Sequence, residues 1–284
     1  MNEPDQSFAN PRLVNLYDHF DSDRSDLDHY LVIVDEFGAR SVLDVGCGTG
    51  TFACLLAETG ISVCGVDPAA ASLAVAQRKP GADAVTWILG DATTLPPIQV
   101  DMAVMTGNVA QVFVSDAQWS ATLAGIRGAL SPHGGLVFEV RDPARRAWEN
   151  WVPSKTFQRV EVTGVGIVET WIEVIEVSLP LVAFRHSFRF DDGSQMTSDS
   201  TLRFRTGDEI TASLHDAGFT VDEVRDASDR PGLEWVFIAS AGQLSEGGLR
   251  GRGEVGVVEG EAAFGESRGH GASTGEREAG AAAK

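Results

Sequence analysis

The chain has few basic residues, few cysteines and no apolar run approaching membrane-spanning length. Its 22 lysines and arginines face 41 acids, a formal net charge of −19. Affinity for nucleic acid rests on neutralising phosphates, so a chain this acidic repels DNA and RNA at long range. Its charge otherwise reads as solubility. Cys47, Cys54 and Cys64 form an odd set without metal-ligand spacing, the pattern of reduced, mostly buried thiols and of a cytoplasmic protein. The opening residues Met1–Gln6 are acidic and polar where a secretory signal has bases and then an apolar run. No internal repeat and no metal-binding pattern stands out, and 43% hydrophobic residues suffice for a sizeable core.

What is present centres on Val42–Gly50, Val-Leu-Asp-Val-Gly-Cys-Gly-Thr-Gly. A short apolar strand runs into three alternating glycines, and a helical pattern follows from Thr51 to Glu58. This is the strand-loop-helix entry of a nucleotide-type site, in which missing Cβ atoms let the backbone approach a ligand. The dinucleotide spacing G-x-G-x-x-G fails, because it places Thr51 at the third glycine. The spacing G-x-G-x-G fits, with Asp44 two residues before the first glycine.

Read with Leu43 and Asp44, this string resembles the first motif of class I S-adenosylmethionine (SAM)-dependent methyltransferases. Val63-Cys64-Gly65-Val66-Asp67 resembles that family's second strand with its ribose-binding acid, and Leu89-Gly90-Asp91-Ala92 its adenine loop. The resemblance implies that Asp44 and Gly46 hold the amino-acid end of SAM, that Asp67 holds the ribose hydroxyls, and that Asp91 and Ala92 hold the adenine. Cys47, Gly48, Gly50, Pro68 and Thr106 complete the implied cofactor contacts. The bland alternative is that the acids are turn or cap residues. The resemblance also implies an α/β fold with a doubly wound, mostly parallel seven-stranded sheet.

In chain order, residues 1–38 form a helical cap that Gly38 closes. Within it Tyr17 matches a family tyrosine that touches cofactor or substrate; a half-buried anchoring aromatic is the other reading. Residues 39–143 alternate short apolar runs with helical stretches, the mark of a parallel sheet covered on both faces. Strands are expected at 42–45, 62–66, 85–89, 102–105 and 136–140. Ser115 and Gln118 form a capping box before the apolar stripe Trp119, Leu123, Ile126, Leu130. Asn108, after the fourth strand, either orients an acceptor or caps the turn begun by Gly107. Glu139, Arg141 and Asp142 are expected at the rim of the site, outside the strand ends. Trp148 and Trp151 either line an acceptor pocket or pack a hinge.

Period-two alternation then marks an inserted antiparallel β lid within residues 144–205, with strands at 167–177, 181–190 and 200–205 and a hairpin turn at Asp192-Gly193. A dimerisation sheet is its alternative role. His186 is the only histidine of the insert, either a base or a hydrogen-bonded structural residue. Residues 206–242 return to the core, with a Thr206/Glu209 capping box and a closing hairpin whose last strand runs antiparallel. From 243 to 284 the composition turns to Gly, Glu, Ala and Arg with one aromatic, which predicts a disordered tail. Its seven acids and five bases leave −17 of the −19 on the rest of the chain.

These readings point to a methyltransferase that moves the SAM methyl to an O or N atom of a small metabolite. The Asn/Asp-Pro-Pro-Tyr/Phe string of many nucleobase and glutamine methyltransferases is missing after Met105. Methyl transfer from a sulfonium is chiefly a matter of alignment and water exclusion, and no catalytic residue is legible. The remaining expectations are no membrane partner, no metal and a monomer or homodimer. A SAM-binding regulator without turnover would keep the same motifs. A nicotinamide-dependent oxidoreductase would share the fold but lacks its glycine spacing.

Overall fold

The computed structural model describes residues 3–242. The stretch 243–284, expected to be disordered, lies outside the described residues. Among the described residues, eleven strands form two sheets. The strands are β1 Ser41–Val45, β2 Ser62–Asp67, β3 Val85–Leu89, β4 Val100–Met105, β5 Leu130–Arg141, β6 Gln158–Val162, β7 Gly166–Ser178, β8 Leu181–Phe190, β9 Gln195–Arg203, β10 Phe219–Asp226 and β11 Glu234–Ala241. The helices are α1 Gln6–Ala9, α2 Pro11–Phe20, α3 Asp28–Phe37, α4 Thr51–Glu58, α5 Ala70–Ala76, α6 Asp116–Ala129, α7 Pro153–Thr156 and α8 Gly207–Asp216.

The larger sheet has the order β10-β11-β5-β4-β1-β2-β3. β1 pairs in parallel with both β2 and β4, and β5 continues the parallel set. β11 runs antiparallel to β5 and to β10 and closes the sheet. The chain winds outward in opposite directions from β1 and β4, so the crevice between their carboxyl ends is the topological switch point where ligands bind in open α/β sheets.

Strand alternation divides the core into two layers. Leu43, Val45, Ala103, Met105, Phe138 and Phe237 join Trp119, Leu123 and Ile126 of α6 and Ile210 and Leu214 of α8. Val42, Met102, Val104, Val137 and Val236 face the other way, onto Tyr30, Ile33 and Val34 of α3 and Phe52 and Leu56 of α4. Both expected capping boxes are present, with Ser115 accepting from the Gln118 N–H and Thr206 from the Glu209 N–H. Helix α6 ends at Ala129, so Leu130 reaches the same core as its cap and as the first residue of β5, not as a fourth helical stripe position.

The smaller sheet, β6-β7-β8-β9, is antiparallel throughout. Its Val162, Val168, Phe188 and Phe190 pack on Leu13 and Leu16 of α2. The Arg12 guanidinium lies 3.6 Å above the Phe190 ring and pairs with Asp192 at 3.2 Å. The Ser7 N–H donates to Ser198 Oγ at 2.9 Å, and Ser200 donates to Asp5. α1 and α2 are also tied to α5 and the residues after it, where Ser72 Oγ donates to the Phe8 carbonyl and Arg78 donates to Asn15. The N-terminal helices therefore bridge the two sheets.

Candidate functional site

On the α3 face of the large sheet, period-two alternation carries an apolar surface up to the strand ends and then turns it polar. Asp44 shares a face with Val42, Thr106 with Val104, Glu139 and Arg141 with Val137, and Glu234 with Val236. Register completes the grouping, since Glu139 lies opposite Val236 and Arg141 opposite Glu234. Antiparallel β11 begins where parallel β5 ends, so Glu234 joins the carboxyl-end residues of the other strands.

The glycine loop lies at the switch point. The N–H groups of Gly46 and Cys47 donate to the Val66 carbonyl, which pins the loop to the end of β2. Gly46 adopts φ +74°, and a Cβ there would lie 2.7 Å from Cγ1 of Val109, so the loop packs directly on the turn after β4. Gly48, at φ +54°, has nothing within 4 Å of where its Cβ would stand. The loop is thus closed on one side and open on the other, and a ligand fits the open side.

Asp44 is 1% exposed, and neither carboxyl oxygen has a partner. Burial, reinforced by the Asp67 carboxylate and opposed by Arg24, pushes its pKa up to about 7. A buried carboxyl without a donor is costly in isolation and is suited to a cation. Asp67 accepts from the Gly48 N–H at 2.9 Å and the Ala69 N–H at 2.8 Å, which leaves further lone pairs on both oxygens. Burial raises its pKa, and the two backbone donors oppose the rise. Asp91 turns Oδ1 back onto the N–H and hydroxyl of Thr93, beside the buried Ala92. Pro68 and Thr106 are half-buried at the ends of β2 and β4. Burial, with the Asp44 and Asp67 charges, drives the Cys47 thiol pKa upward, so it remains a neutral thiol in the loop. Cys54 is buried, and Cys47 and Cys64 are half-buried, all three free. An unpartnered acid, an open glycine turn and a backbone-held second acid fit the ammonium, chain and ribose of SAM.

The N-terminal segment is fastened across this loop. Thr49 Oγ1 donates to Asp18 at 2.7 Å, and Lys79 Nζ reaches Asp18 at 2.8 Å and Thr51 at 2.6 Å. Tyr17, half-buried with its ring 5.8 Å from Phe8, lies within electrostatic reach of Arg24 and Arg141. Burial and then Asp21 push its hydroxyl up to about 12, so it stays protonated.

Beyond the glycine loop the polar residues bond to one another. Tyr30 donates to Glu139 Oε2 at 2.6 Å, the Asn108 N–H donates to Glu139 Oε1 at 2.9 Å, and the Asn108 amide donates to Glu234 at 3.1 Å. Arg141 pairs with Glu234 at 3.4 Å and donates to Gln111 at 3.0 Å, while Arg230 pairs with Glu234 at 2.6 Å. Burial raises the Glu139 pKa, as does Glu234 nearby; burial lowers that of Arg141. Asp142 turns back to cap Ala144.

Two of the expected acceptor residues sit apart from this cluster. Trp148 packs edge-on against Phe204, 4.6 Å between centroids, in a layer with Trp151 and Val182. Trp151 links that layer to the rim, with the Arg141 guanidinium 5.6 Å from its ring. His186 lies within the small sheet, its Nε2 2.5 Å from Thr170 Oγ1 and its ring 4.2 Å from Phe188. Burial alone lowers its pKa to about 4, which leaves it neutral. Sequence reading missed Arg24, Tyr30, Lys79 and Glu234. Lys79 had a usable signal, being one of three lysines in the chain.

The family model described as "Methyltransferase domain" matches residues 42–134. A protein of Geobacillus sp. (strain WCH70) assigned to the methyltransferases is 30% identical over 197 residues, 66% of this chain and 76% of that one. Among solved structures, the fold is similar to the amino pentose methyltransferase CalS10 of Micromonospora echinaspora, at a TM-score of 0.63 and 22% identity over 80% of this chain and 96% of that one. It is also similar to the sugar N-methyltransferase KedS8 of Streptoalloteichus sp., at 0.63 and 20%, covering 80% and 93%.

Proposed function

Because the chain belongs to the class I SAM-dependent methyltransferases, we propose that it transfers the SAM methyl group to an N or O atom of a small metabolite. The observation that carries this reading is the unpartnered Asp44 carboxyl beside the open Gly48 turn, at the switch point where the sheet's α3 face becomes polar. Asp44 takes the ammonium of SAM, Asp67 the ribose hydroxyls, and the Asp91–Ala92 turn the adenine edge. Cys47, Gly50, Pro68 and Thr106 shape the surrounding wall.

When bound, SAM supplies a methyl carbon already activated by the sulfonium charge. The chain's own part is to align the acceptor, exclude water and hold the surrounding charges fixed. Tyr17 and the Asp18–Lys79 fastening bring the N-terminal helices over the donor, and Asn108 and Arg141 face the acceptor side. The small sheet, joined to those helices, covers a compact ligand. A small acceptor is further supported by the amino pentose and sugar N-methyltransferases that share the fold, and by the −17 charge, which disfavours nucleic acid. Three free cysteines support a cytoplasmic location.

The test is calorimetric titration with SAM and NAD, followed by incubation with methyl-labelled SAM and a small-molecule extract. Binding of SAM but not NAD, with label entering a small molecule, is the expected result. Label entering tRNA, DNA or protein at a comparable rate would overturn the choice of acceptor, and SAM binding without turnover would favour a regulator.

A further inference from the structure

Asn108 is 3% exposed and adopts the left-handed conformation, φ 61° and ψ 27°. Its Nδ2 lies 3.1 Å from Glu234 Oε2 and 3.5 Å from Glu139 Oε1, while its own backbone N–H donates to the latter. Both oxygens of Glu139 already accept, from Tyr30 and from the Asn108 N–H, and Glu234 accepts from Arg230, so it is the NH2 end of the planar amide that faces them. The carbonyl end is thereby turned away, and Oδ1 is buried with no partner. The amide cannot reverse without setting its oxygen against two carboxylates. These are held in turn, Glu139 by Tyr30 and Glu234 by Arg230 and Arg141. The next residue, Val109, presses on Gly46, so this oriented amide stands beside the donor loop.

We propose that Asn108 Oδ1 receives an N–H of the methyl acceptor, that the acceptor is a primary or secondary amine, and that Tyr30, Glu139 and Glu234 are positioning residues that fix the amide. This rests on the methyl-transfer reading above. The acceptor enters as the free amine, its ammonium proton already given to water, and the nitrogen attacks with its own lone pair. The N–C bond forms as the C–S bond breaks, sulfur keeps that electron pair, and the proton is shed from the methylated nitrogen to water afterwards. An amide oxygen is enough for this, since it orients the lone pair without acting as a base. A hydroxyl acceptor would instead have to give its proton to a base. The carboxylates are committed to Asn108, Tyr30 and the arginines, and Tyr17 stays protonated. His29 is the candidate for that contrary case, because its ring lies 4.0 Å from that of Tyr30 and neither ring nitrogen has a partner.

The experiment uses the full chain, trideuteromethyl SAM, amino sugars paired with their hydroxy analogues, and a small-molecule extract of the producing cells, read by mass spectrometry. Label on nitrogen is expected. Asn108→Gly, which tolerates the left-handed backbone, should lower kcat for the amine by about tenfold to a hundredfold, with SAM affinity within about twofold. Glu139→Gln, close in shape, should lower kcat in the same sense while leaving SAM affinity intact. It also provides the second variant should Asn108→Gly fail to fold by circular dichroism. Label on oxygen, lost in His29→Ala, would overturn the inference. So would label on nitrogen with kcat unchanged in the variants, a result that leaves the methyl-transfer reading standing. No labelled product, with SAM binding intact, would overturn that reading and this inference with it.

Discussion

Replacing Asp44 with asparagine separates what the donor site costs the fold from what it contributes to binding. An aspartate in the unfolded chain ionises near 3.8, whereas buried Asp44 holds its proton up to about 7. Between those pH values the folded protein keeps a proton that the unfolded chain has released, so stability falls as pH rises and levels off above about 7. At about 1.4 kcal/mol per pH unit, the loss approaches ~4 kcal/mol. Asparagine has nearly the same shape and does not ionise. Its own unpaired donor takes back about 1–2 kcal/mol, leaving Asp44→Asn more stable than the parent by roughly 2–3 kcal/mol at pH 8. For a folded unit of this size that is about 5–10 °C in Tm. The same change removes the charge-assisted contact proposed for the SAM ammonium, worth about 1.5–3 kcal/mol, so affinity should fall about tenfold to more than a hundredfold. In the parent, SAM affinity should weaken as pH drops below about 7, because binding requires the carboxylate. Thermal melts from pH 5 to 9 and calorimetry on both proteins read all of this. A variant no more stable at pH 8, or one that binds SAM as tightly as the parent, would refute the reasoning.

Asp67→Ala should weaken SAM binding about tenfold to a hundredfold or more, and unchanged calorimetric affinity would remove the ribose assignment. A Cβ at Gly125 of α6 would lie 2.0 Å from the Ala92 carbonyl oxygen, so Gly125→Ala should displace the proposed adenine loop. It should destabilise the protein by about 1–3 kcal/mol and lower SAM affinity, both absent if helix and loop do not touch. Lys79→Met removes the cation held by Asp18, Thr49 and Thr51. Because the pair is partly exposed, global stability should fall by no more than about 1 kcal/mol, while hydrogen exchange over residues 6–20 should speed up; protection equal to the parent's would sink the fastening role.

The proposed donor half of the site was legible because its motifs are contiguous along the chain. Strand, glycines and acid occur within Val42–Gly50, and Asp67 and Asp91 each end or follow a recognisable apolar run. The proposed acceptor half is assembled from Tyr30, Asn108, Glu139 and Glu234, which only helix packing and sheet register bring together. Glu139 and Arg141 were readable as strand-end residues, but Glu234 opens an antiparallel strand, and the site meets that strand's beginning. In the fold, β6 escaped notice because Gln158–Val162 is short, half polar and paired only with β7. The first part of β5 reads as a turn, Ser131-Pro132-His133-Gly134, yet Leu130 pairs with Val100 before the register shifts. Propensity there yields to the neighbouring strand.

Methyl transfer to a small molecule is tested most directly by following the label from trideuteromethyl SAM with this 284-residue chain and a small-molecule extract, beside a protein-free control. The account predicts S-adenosylhomocysteine formation matched mole for mole by a labelled small molecule, both lost in Asp67→Ala at subsaturating SAM. S-adenosylhomocysteine at the level of the control, or label recovered only in macromolecules, would contradict it.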